Sequence, residues 1–159
     1  MHRLISTLIL SLQILAISTL SFAWDGKVVS VTDGDTIKVL KQDSTQVKIR
    51  LYGIDTPEKG QPFGNSAKRF TADLVAGKQV EIEEVTTDRY GRTVGIVNVG
   101  ELVVNKEIVR SGYAWVYRRY CDQEFCSDWT ELERIARDTK FGLWKDRNPM
   151  PPWEWRKRK

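Results

Sequence analysis

Segments with the residue pattern of β-strands are the feature that most constrains how this chain can fold. In residues 47–52 the alternation is strict, because Val47, Ile49 and Leu51 would face one side of a sheet and the residues between them the other. Turn signals separate four further segments rich in β-branched residues, at 27–31, 36–40, 79–85 and 94–99. Five short strands in one small domain predict a Greek-key barrel, and the OB fold is one candidate.

Three helices are expected beside the strands, which makes the fold class α+β and mainly β. The apolar face of the first helix would consist of Ala67, Phe70, Leu74 and Val75. Gly77 is placed to end this helix, and Gly112 to end a short second helix over about 105–111.

The third helix is expected to begin near Asp128 and to end before Gly142. Asp128 is followed three residues later by Glu131, which is the spacing of a capping box. The inward face of this helix would consist of Leu132, Ile135 and Ala136. From about residue 149 the domain continues as a basic tail rich in Trp and Pro, and residues 156–159 are expected to form a frayed end.

Residues 1–23 have the pattern of a secretory signal peptide, which leaves 24–159 as one domain. A short basic start is followed by a mostly apolar stretch, and Ser21 and Ala23 supply small residues where a signal peptidase would cut. The alternative is an uncleaved membrane anchor, but six hydroxyl residues and Gln13 make the stretch a poor spanning helix. We therefore expect an exported protein, secreted or periplasmic, without stable membrane association after cleavage.

The only histidine in the chain is His2, which lies in this leader. A mature chain without histidine cannot use a Ser-His-Asp triad, a Cys-His pair or a His-ligated zinc ion. Any chemistry must therefore come from carboxylates, arginines, lysines, tyrosines or a metal ion held by oxygen atoms.

The two cysteines, Cys121 and Cys126, fit an exported protein. In an oxidising compartment they allow a single intramolecular pairing, so a structural disulfide is expected. A zinc site is the alternative, but two thiolates without histidine or further cysteine make an incomplete cage.

Acidic residues from distant parts of the sequence are expected to meet at one end of a hairpin. With a turn centred near residues 43–44, antiparallel pairing places Asp35 opposite about residue 53. Asp55 is two positions further on, and Glu58 follows it. Such carboxylates repel one another unless a cation binds, and oxygen ligands without His or Cys favour Ca²⁺ or Mg²⁺.

Arg50 can share this site with Asp55 only if the chain bends between them. Five residues of straight strand would separate the two by about 16 Å. Gly53 is the expected place for a bulge or coil.

Several short motifs follow one another in order along the chain. They are VTDGDT (31–36), IRL (49–51), IDTPE (54–58), DRYGR (88–92), VN (104–105), GYA (112–114) and GLW (142–144). Together they resemble the staphylococcal (thermo)nuclease family over about residues 27–144. The resemblance implies a five-stranded OB-fold barrel with three helices and a secreted, calcium-dependent nuclease acting on DNA and RNA.

By motif position, the resemblance also assigns roles to the charged residues. The Ca²⁺ ligands would be the carboxylates of Asp35 and Asp55 and the carbonyl of Thr56. Glu58 would accept a proton from the attacking water or orient it. Arg50 and Arg92 would hold the phosphate and stabilise charge in the transition state. The implied products carry a 3′-phosphate and a free 5′-hydroxyl.

Arg89, Tyr90 and Tyr120 are the candidate substrate-binding residues. In the family pattern Tyr90 lies beside the nucleotide and Arg89 is placed to contact phosphate. Tyr120 is a candidate for a second base contact, because aromatic and basic residues alternate in this part of the chain. These features favour single-stranded DNA or RNA as the partner of a monomer.

Two other functions are compatible with the same fold. One is a catalytically weak OB-fold module that binds nucleic acid, and the other is an OB-type scaffold with a structural Ca²⁺ site. An inactive copy would usually lose an acid or an arginine, whereas this chain keeps Asp35, Arg50, Asp55, Glu58 and Arg92. The scaffold would leave both arginines without a function, so the nuclease is favoured.

Overall fold

The computed structural model describes residues 23–158, so the predicted signal peptide lies outside the described residues except for Ala23. Over this range the strands are β1 (Ala23–Asp33), β2 (Thr36–Leu40), β3 (Gln46–Leu51), β4 (Ile54–Asp55), β5 (Gln79–Thr87), β6 (Thr93–Val99), β7 (Leu102–Val103) and β8 (Trp115–Val116). The α-helices are α1 (Gly64–Val75), α2 (Val104–Arg110), α3 (Cys126–Asp138) and α4 (Pro152–Trp155).

Five of the strands close into a barrel. The order in the sheet is β3-β2-β1-β5-β6-β7, and β3 also pairs in parallel with β6, which closes the barrel. β4 and β8 form a separate two-stranded ribbon. The five predicted strand segments are the barrel strands, so the predicted α+β fold with a five-stranded barrel is confirmed. Three strands of two residues each, β4, β7 and β8, add to it.

The hairpin of β2 and β3 has a different register from the predicted one. Thr36 lies opposite Arg50, and the Leu51 N–H donates to the Asp35 carbonyl at 2.9 Å. The predicted partner of Asp35, about residue 53, is therefore wrong by two positions. The cause is the turn, which is centred on Asp43 itself and has Ser44 in the left-handed region, at φ 65°.

Helix α1 ends at Val75, two residues before the predicted stop at Gly77, and α2 begins and ends one residue before its predicted range. Ala67 and Val75 are fully buried, whereas Phe70 and Leu74 are partly buried against the core. In the described residues, no helix is both long and apolar enough to cross a membrane.

Helix α3 begins earlier than predicted. It starts at Cys126, and its cap residue Phe125 makes no side-chain cap hydrogen bond, so the predicted capping box at Asp128 is wrong. Ile135, which was expected to face inward, is 45% exposed, so this prediction is wrong too.

The buried face of α3 is set by an aromatic and a charged residue. Trp129 packs into the core, and Glu133 lies one helical turn further along the same face. Burial of Glu133 is possible because its carboxylate accepts the Val116 N–H at 2.6 Å and pairs with Arg137. A pattern of apolar residues alone could not identify a face that contains a buried carboxylate.

Cys121 and Cys126 are joined by a disulfide, as predicted. The bond ties the segment after a 3₁₀ turn (Arg118–Tyr120) to the first residue of α3. Both sulfur atoms are used in this bond, which excludes the zinc alternative for them.

Replacing Asn105 by alanine is expected to destabilise the barrel. The buried amide accepts the Val97 N–H at 3.0 Å and donates to the carbonyls of Tyr52 at 3.0 Å and Gly95 at 3.2 Å. Alanine would leave these backbone groups without the amide partner, so the free energy of unfolding should fall by about 2–4 kcal/mol. Chemical denaturation measures this value. The control, Asn148→Ala at an exposed amide, should change it by less than about 0.5 kcal/mol, and an equally small effect at Asn105 would contradict the prediction.

Candidate active site

Gly53 bends the chain between β3 and β4. Its φ is +71°, and its carbonyl accepts the Tyr117 N–H at 2.8 Å. A Cβ at this position would lie 2.6 Å from Cys121 Sγ, so a side chain does not fit. The bend returns Asp55 to Arg50, as the distance argument from the sequence requires.

Arg50 joins two buried carboxylates. Its Nη1 lies 3.2 Å from Asp35 Oδ1, and its Nη2 lies 2.9 Å from Asp55 Oδ1. Asp35 is 6% exposed and Asp55 only 1%. The two acids therefore meet at the end of the hairpin, and one guanidinium group compensates part of their charge.

Asp35 is also tied to the chain that follows β4. Its Oδ2 accepts the Thr56 N–H at 2.7 Å and the Thr56 hydroxyl at 2.9 Å. Burial raises the pKa of Asp35, but the charge of Arg50 and the Thr56 N–H outweigh burial and hold this pKa below its usual value. Asp35 is thus an ionised carboxylate at neutral pH.

The neighbouring acids Asp33 and Asp55 have raised pKa values. Burial is the largest cause for both, and the negative charge of Asp35 raises them further. The pKa of Asp33 rises to about 7, and that of Asp55 rises to about 6 although Arg50 and Arg156 oppose the shift. The cluster therefore holds more negative charge than its surroundings stabilise, which favours the binding of a further cation.

Glu58 lies at the rim of this cluster. Its side chain is 36% exposed, and its Oε1 lies 2.5 Å from Arg156 Nη1. The Glu58 N–H donates to the Gln61 side-chain oxygen at 3.0 Å, which fixes the loop between β4 and α1. A carboxylate at this place is both near the buried acids and within reach of solvent water.

The loop between β5 and β6 holds a second group of predicted residues. Asp88 organises this loop, because its Oδ1 accepts the N–H groups of Tyr90 at 2.9 Å and Arg92 at 3.0 Å. Asp88 Oδ2 accepts the Arg92 Nε–H at 2.7 Å, which orients that guanidinium group. Tyr90 is 68% exposed, and the Arg89 guanidinium carbon lies 4.8 Å from the centre of its ring.

Tyr120 belongs to a third group, in the 3₁₀ turn before the disulfide. It is 55% exposed and meets Tyr117 edge to face, with ring centres 4.8 Å apart. The three groups line one groove of about 980 Å³. All the predicted catalytic, metal-ligating and substrate-binding residues lie along it, namely Asp35, Arg50, Asp55, Thr56, Glu58, Arg89, Tyr90, Arg92 and Tyr120. The structure brings them together, and their individual roles stay predictions.

The predicted metal site consists of few side chains. Between residues 23 and 158, no group of three or more His, Cys, Asp or Glu side chains is arranged to hold a metal ion. The predicted set is smaller, because it uses the carboxylates of Asp35 and Asp55 with the backbone carbonyl of Thr56. An all-oxygen set in a cluster with excess negative charge fits a hard divalent cation such as Ca²⁺.

Arg156 is a site residue that the sequence reasoning missed. Its Nη2 lies 2.8 Å from Asp55 Oδ2, so the prediction of a frayed end is wrong for this residue. Lys159 lies outside the described residues. Two prolines and two tryptophans in residues 151–155 were the available signal, because such residues are typical of a segment that packs against the domain and not of a frayed end.

Comparisons with known proteins agree with the motifs. The family profile "Staphylococcal nuclease homologue" matches residues 48–146. An "Uncharacterized endonuclease" of Escherichia coli O157:H7 is 44% identical over 135 residues, which cover 84% of this chain and 86% of that protein. A "Micrococcal nuclease" of Shigella flexneri is 40% identical over 141 residues, with 83% of this chain and 80% of that protein covered. The chain therefore belongs to the staphylococcal nuclease family.

Proposed function

We propose that this chain hydrolyses phosphodiester bonds of DNA and RNA with the help of calcium, by attack of water, and leaves 3′-phosphate and 5′-hydroxyl ends. Membership of its family makes the chain a nuclease. One observation carries the more detailed proposal. The cluster in which Arg50 joins Asp35 and Asp55 shares a groove with Glu58 and Arg92.

Glu58 is the proposed proton acceptor. Its carboxylate lies at the rim of the cluster, where solvent water reaches it. As the water oxygen forms its bond to phosphorus, one water proton passes to Glu58. The bond from phosphorus to the 5′-oxygen breaks, and that oxygen takes up a proton from solvent water to become the 5′-hydroxyl, while Glu58 returns its proton to solvent. A positioned general base contributes about 10²–10⁴-fold to such a step.

Arg50 and Arg92 are the proposed phosphate-binding residues. Charge builds on the phosphoryl oxygens in the transition state, and a planar guanidinium group can contact two of these oxygens at once. Asp88 Oδ2 contacts the Nε and Nη2 atoms of Arg92, each at 2.7 Å, so the Nη1 side of the guanidinium group is left for substrate in the groove. Arg50 is held from the other side of the groove by Asp35 and Asp55.

Asp35, Asp55 and the Thr56 carbonyl are the proposed calcium ligands. When bound, the ion supplies positive charge that polarises a phosphoryl oxygen. Two carboxylates and one carbonyl are a sparse set, so we expect a dissociation constant on the order of 10⁻⁴–10⁻³ M without substrate. The chain's own contribution is to keep both acids close together through Arg50 and the Thr56 N–H.

Tyr90 and Tyr120 support single-stranded nucleic acid as the substrate. Both rings are more than half exposed, and both border the groove. Stacking of a base on such a ring stabilises a complex by about 1–3 kcal/mol, and only unpaired bases offer their faces. Because one chain supplies every residue of the groove, we also propose that the enzyme acts as a monomer.

The chemistry of the product ends tests this proposal. Purified protein is incubated with single-stranded DNA or RNA and calcium, and the fragments are offered to a polynucleotide kinase without phosphatase treatment. Free 5′-hydroxyl ends accept label directly, which is the expected result. Fragments that accept label only after phosphatase treatment would contradict the proposed bond cleavage, and unchanged substrate that is nevertheless bound would favour the binding module.

Export is proposed as well, and mass spectrometry of the exported protein should find Trp24 at the N-terminus. Ala23 is the first residue of β1, so cleavage after it removes one strand residue and keeps the hydrogen bond of 2.6 Å from the Trp24 indole to Glu84. Alkylation without reduction should leave Cys121 and Cys126 unmodified because they form a disulfide. A mature protein that retains Met1 would contradict the cleavage.

A further inference from the structure

The C-terminal segment, residues 149–158, is packed beside the groove. Pro152 is buried, and the Trp153 ring stacks on Tyr117 with centres 5.1 Å apart and planes within 8° of parallel. Trp153 and Trp115 also meet edge to face, with ring centres 6.5 Å apart. Arg156 follows α4 directly, so these contacts fix the place from which its side chain extends.

Gln61 links this segment to the loop of Glu58. Its side-chain nitrogen donates to the Met150 carbonyl at 2.7 Å, and its side-chain oxygen accepts the Glu58 N–H at 3.0 Å. Gln61 is only 6% exposed. A single buried amide therefore positions both the loop of Glu58 and the segment that carries Arg156.

Arg156 contacts both carboxylate oxygens of Asp55. Its Nη2 lies 2.8 Å from Oδ2 and its Nη1 lies 3.2 Å from Oδ1. The same Nη1 lies 2.5 Å from Glu58 Oε1, so one guanidinium group bridges the two acids. Arg50 contacts Asp55 Oδ1 as well, at 2.9 Å.

Arg156 and a metal ion on Asp55 need the same oxygen atoms. A divalent cation takes at least one oxygen of Asp55, and both oxygens already accept hydrogen bonds from Arg156. Arg50 contacts only Oδ1 of Asp55, whereas Arg156 also occupies Oδ2, where its positive charge would repel an arriving ion. We propose that Arg156 is the counter-ion of Asp55 and Glu58 in the metal-free protein, and that calcium displaces it. This inference rests on the proposed function, because it takes Asp55 as a calcium ligand.

Displacement of Arg156 also affects the proposed general base. While Arg156 is in place, its Nη1 occupies the Oε1 atom of Glu58. Removal of the guanidinium group frees this oxygen for a water molecule. The C-terminal segment thus couples calcium binding to release of the proton acceptor, and it weakens calcium binding in doing so.

Calorimetric titration of calcium into the purified protein tests the proposal without measuring activity. Arg156→Gln removes the charge but leaves the contacts of Trp153 and Gln61 in place. The matched control is Lys157→Gln, which removes the same charge from an exposed neighbour. Arg156→Gln should bind calcium at least about threefold more tightly than the unmodified protein, because a partly exposed ion pair no longer competes. Lys157→Gln should change the affinity by less than about twofold.

The possible failures separate this inference from the proposed function. If the unmodified protein binds calcium and Arg156→Gln binds it equally or more weakly, the counter-ion role is contradicted and the metal site stands. If Lys157→Gln gains as much affinity as Arg156→Gln, the gain comes from the lower net positive charge of the protein. The specific role of the Arg156 contacts is then contradicted. If neither the unmodified protein nor Arg156→Gln binds calcium, both the inference and the proposed metal site are contradicted.

Discussion

The Glu58→Gln variant is expected to lose about 10²–10⁴-fold in kcat while its calcium dependence changes little. Glutamine keeps the size of the side chain and can still occupy the rim of the groove, but it cannot accept a proton from water. The calcium ligands Asp35 and Asp55 are untouched, so the calcium concentration at half-maximal activity should stay within a few-fold of its original value. Initial rates on single-stranded DNA over a calcium titration measure both quantities.

The matched control for this change is Glu101→Gln. Glu101 is an exposed acid between β6 and β7, so the substitution removes the same charge away from the groove. Its kcat should stay within about twofold of the original value, since surface substitutions of this kind perturb little. Near-full activity of Glu58→Gln would show that another group accepts the proton.

The Asp35→Asn variant is expected to raise the calcium concentration needed for half-maximal activity by about tenfold or more, because it removes half of the carboxylate charge of the site. Asparagine retains an oxygen that can accept the Thr56 N–H, which Asp35 Oδ2 accepts at 2.7 Å. The effect of the substitution on calcium dependence should therefore be larger than its effect on the stability of the fold. Direct titration of calcium by calorimetry should show the same weakening.

Asp43→Asn provides the control for Asp35→Asn. Asp43 is exposed in the turn between β2 and β3, where its carboxylate accepts the Thr45 N–H at 2.9 Å. The substitution thus makes the same chemical change at a carboxylate with the same kind of backbone partner. Equal calcium dependence in Asp35→Asn and Asp43→Asn would contradict the assignment of Asp35 as a ligand.

The barrel could be predicted because each of its strands carries a local pattern. The alternation of Val47, Ile49 and Leu51 determines which face of β3 points inward, whatever the rest of the chain does. Strands β4, β7 and β8 have two residues each, which is too short for any periodicity. They form because their neighbours bring them together, and sequence patterns carry no such information.

The motifs identified the residues of the central cluster, but they could not predict its geometry. Asp35, Arg50 and Asp55 could be named as partners, but the register of the hairpin depends on its turn, which is centred on Asp43 and places Ser44 at a positive φ. The contact between Arg156 and Asp55 joins residues 101 positions apart. Tertiary contacts of Trp153 and Gln61 determine it, and the local pattern of a basic chain end does not reveal them.

Cleavage of single-stranded DNA during a calcium titration tests the central claim most directly. The purified protein is incubated with the DNA in chelator, then with increasing calcium, and then with excess chelator again. The account predicts no cleavage in chelator, cleavage that saturates as calcium reaches the concentration range of a sparse oxygen site, on the order of 10⁻⁴–10⁻³ M, and arrest when chelator is restored. Intact DNA at every calcium concentration, or equal cleavage in chelator, would contradict it.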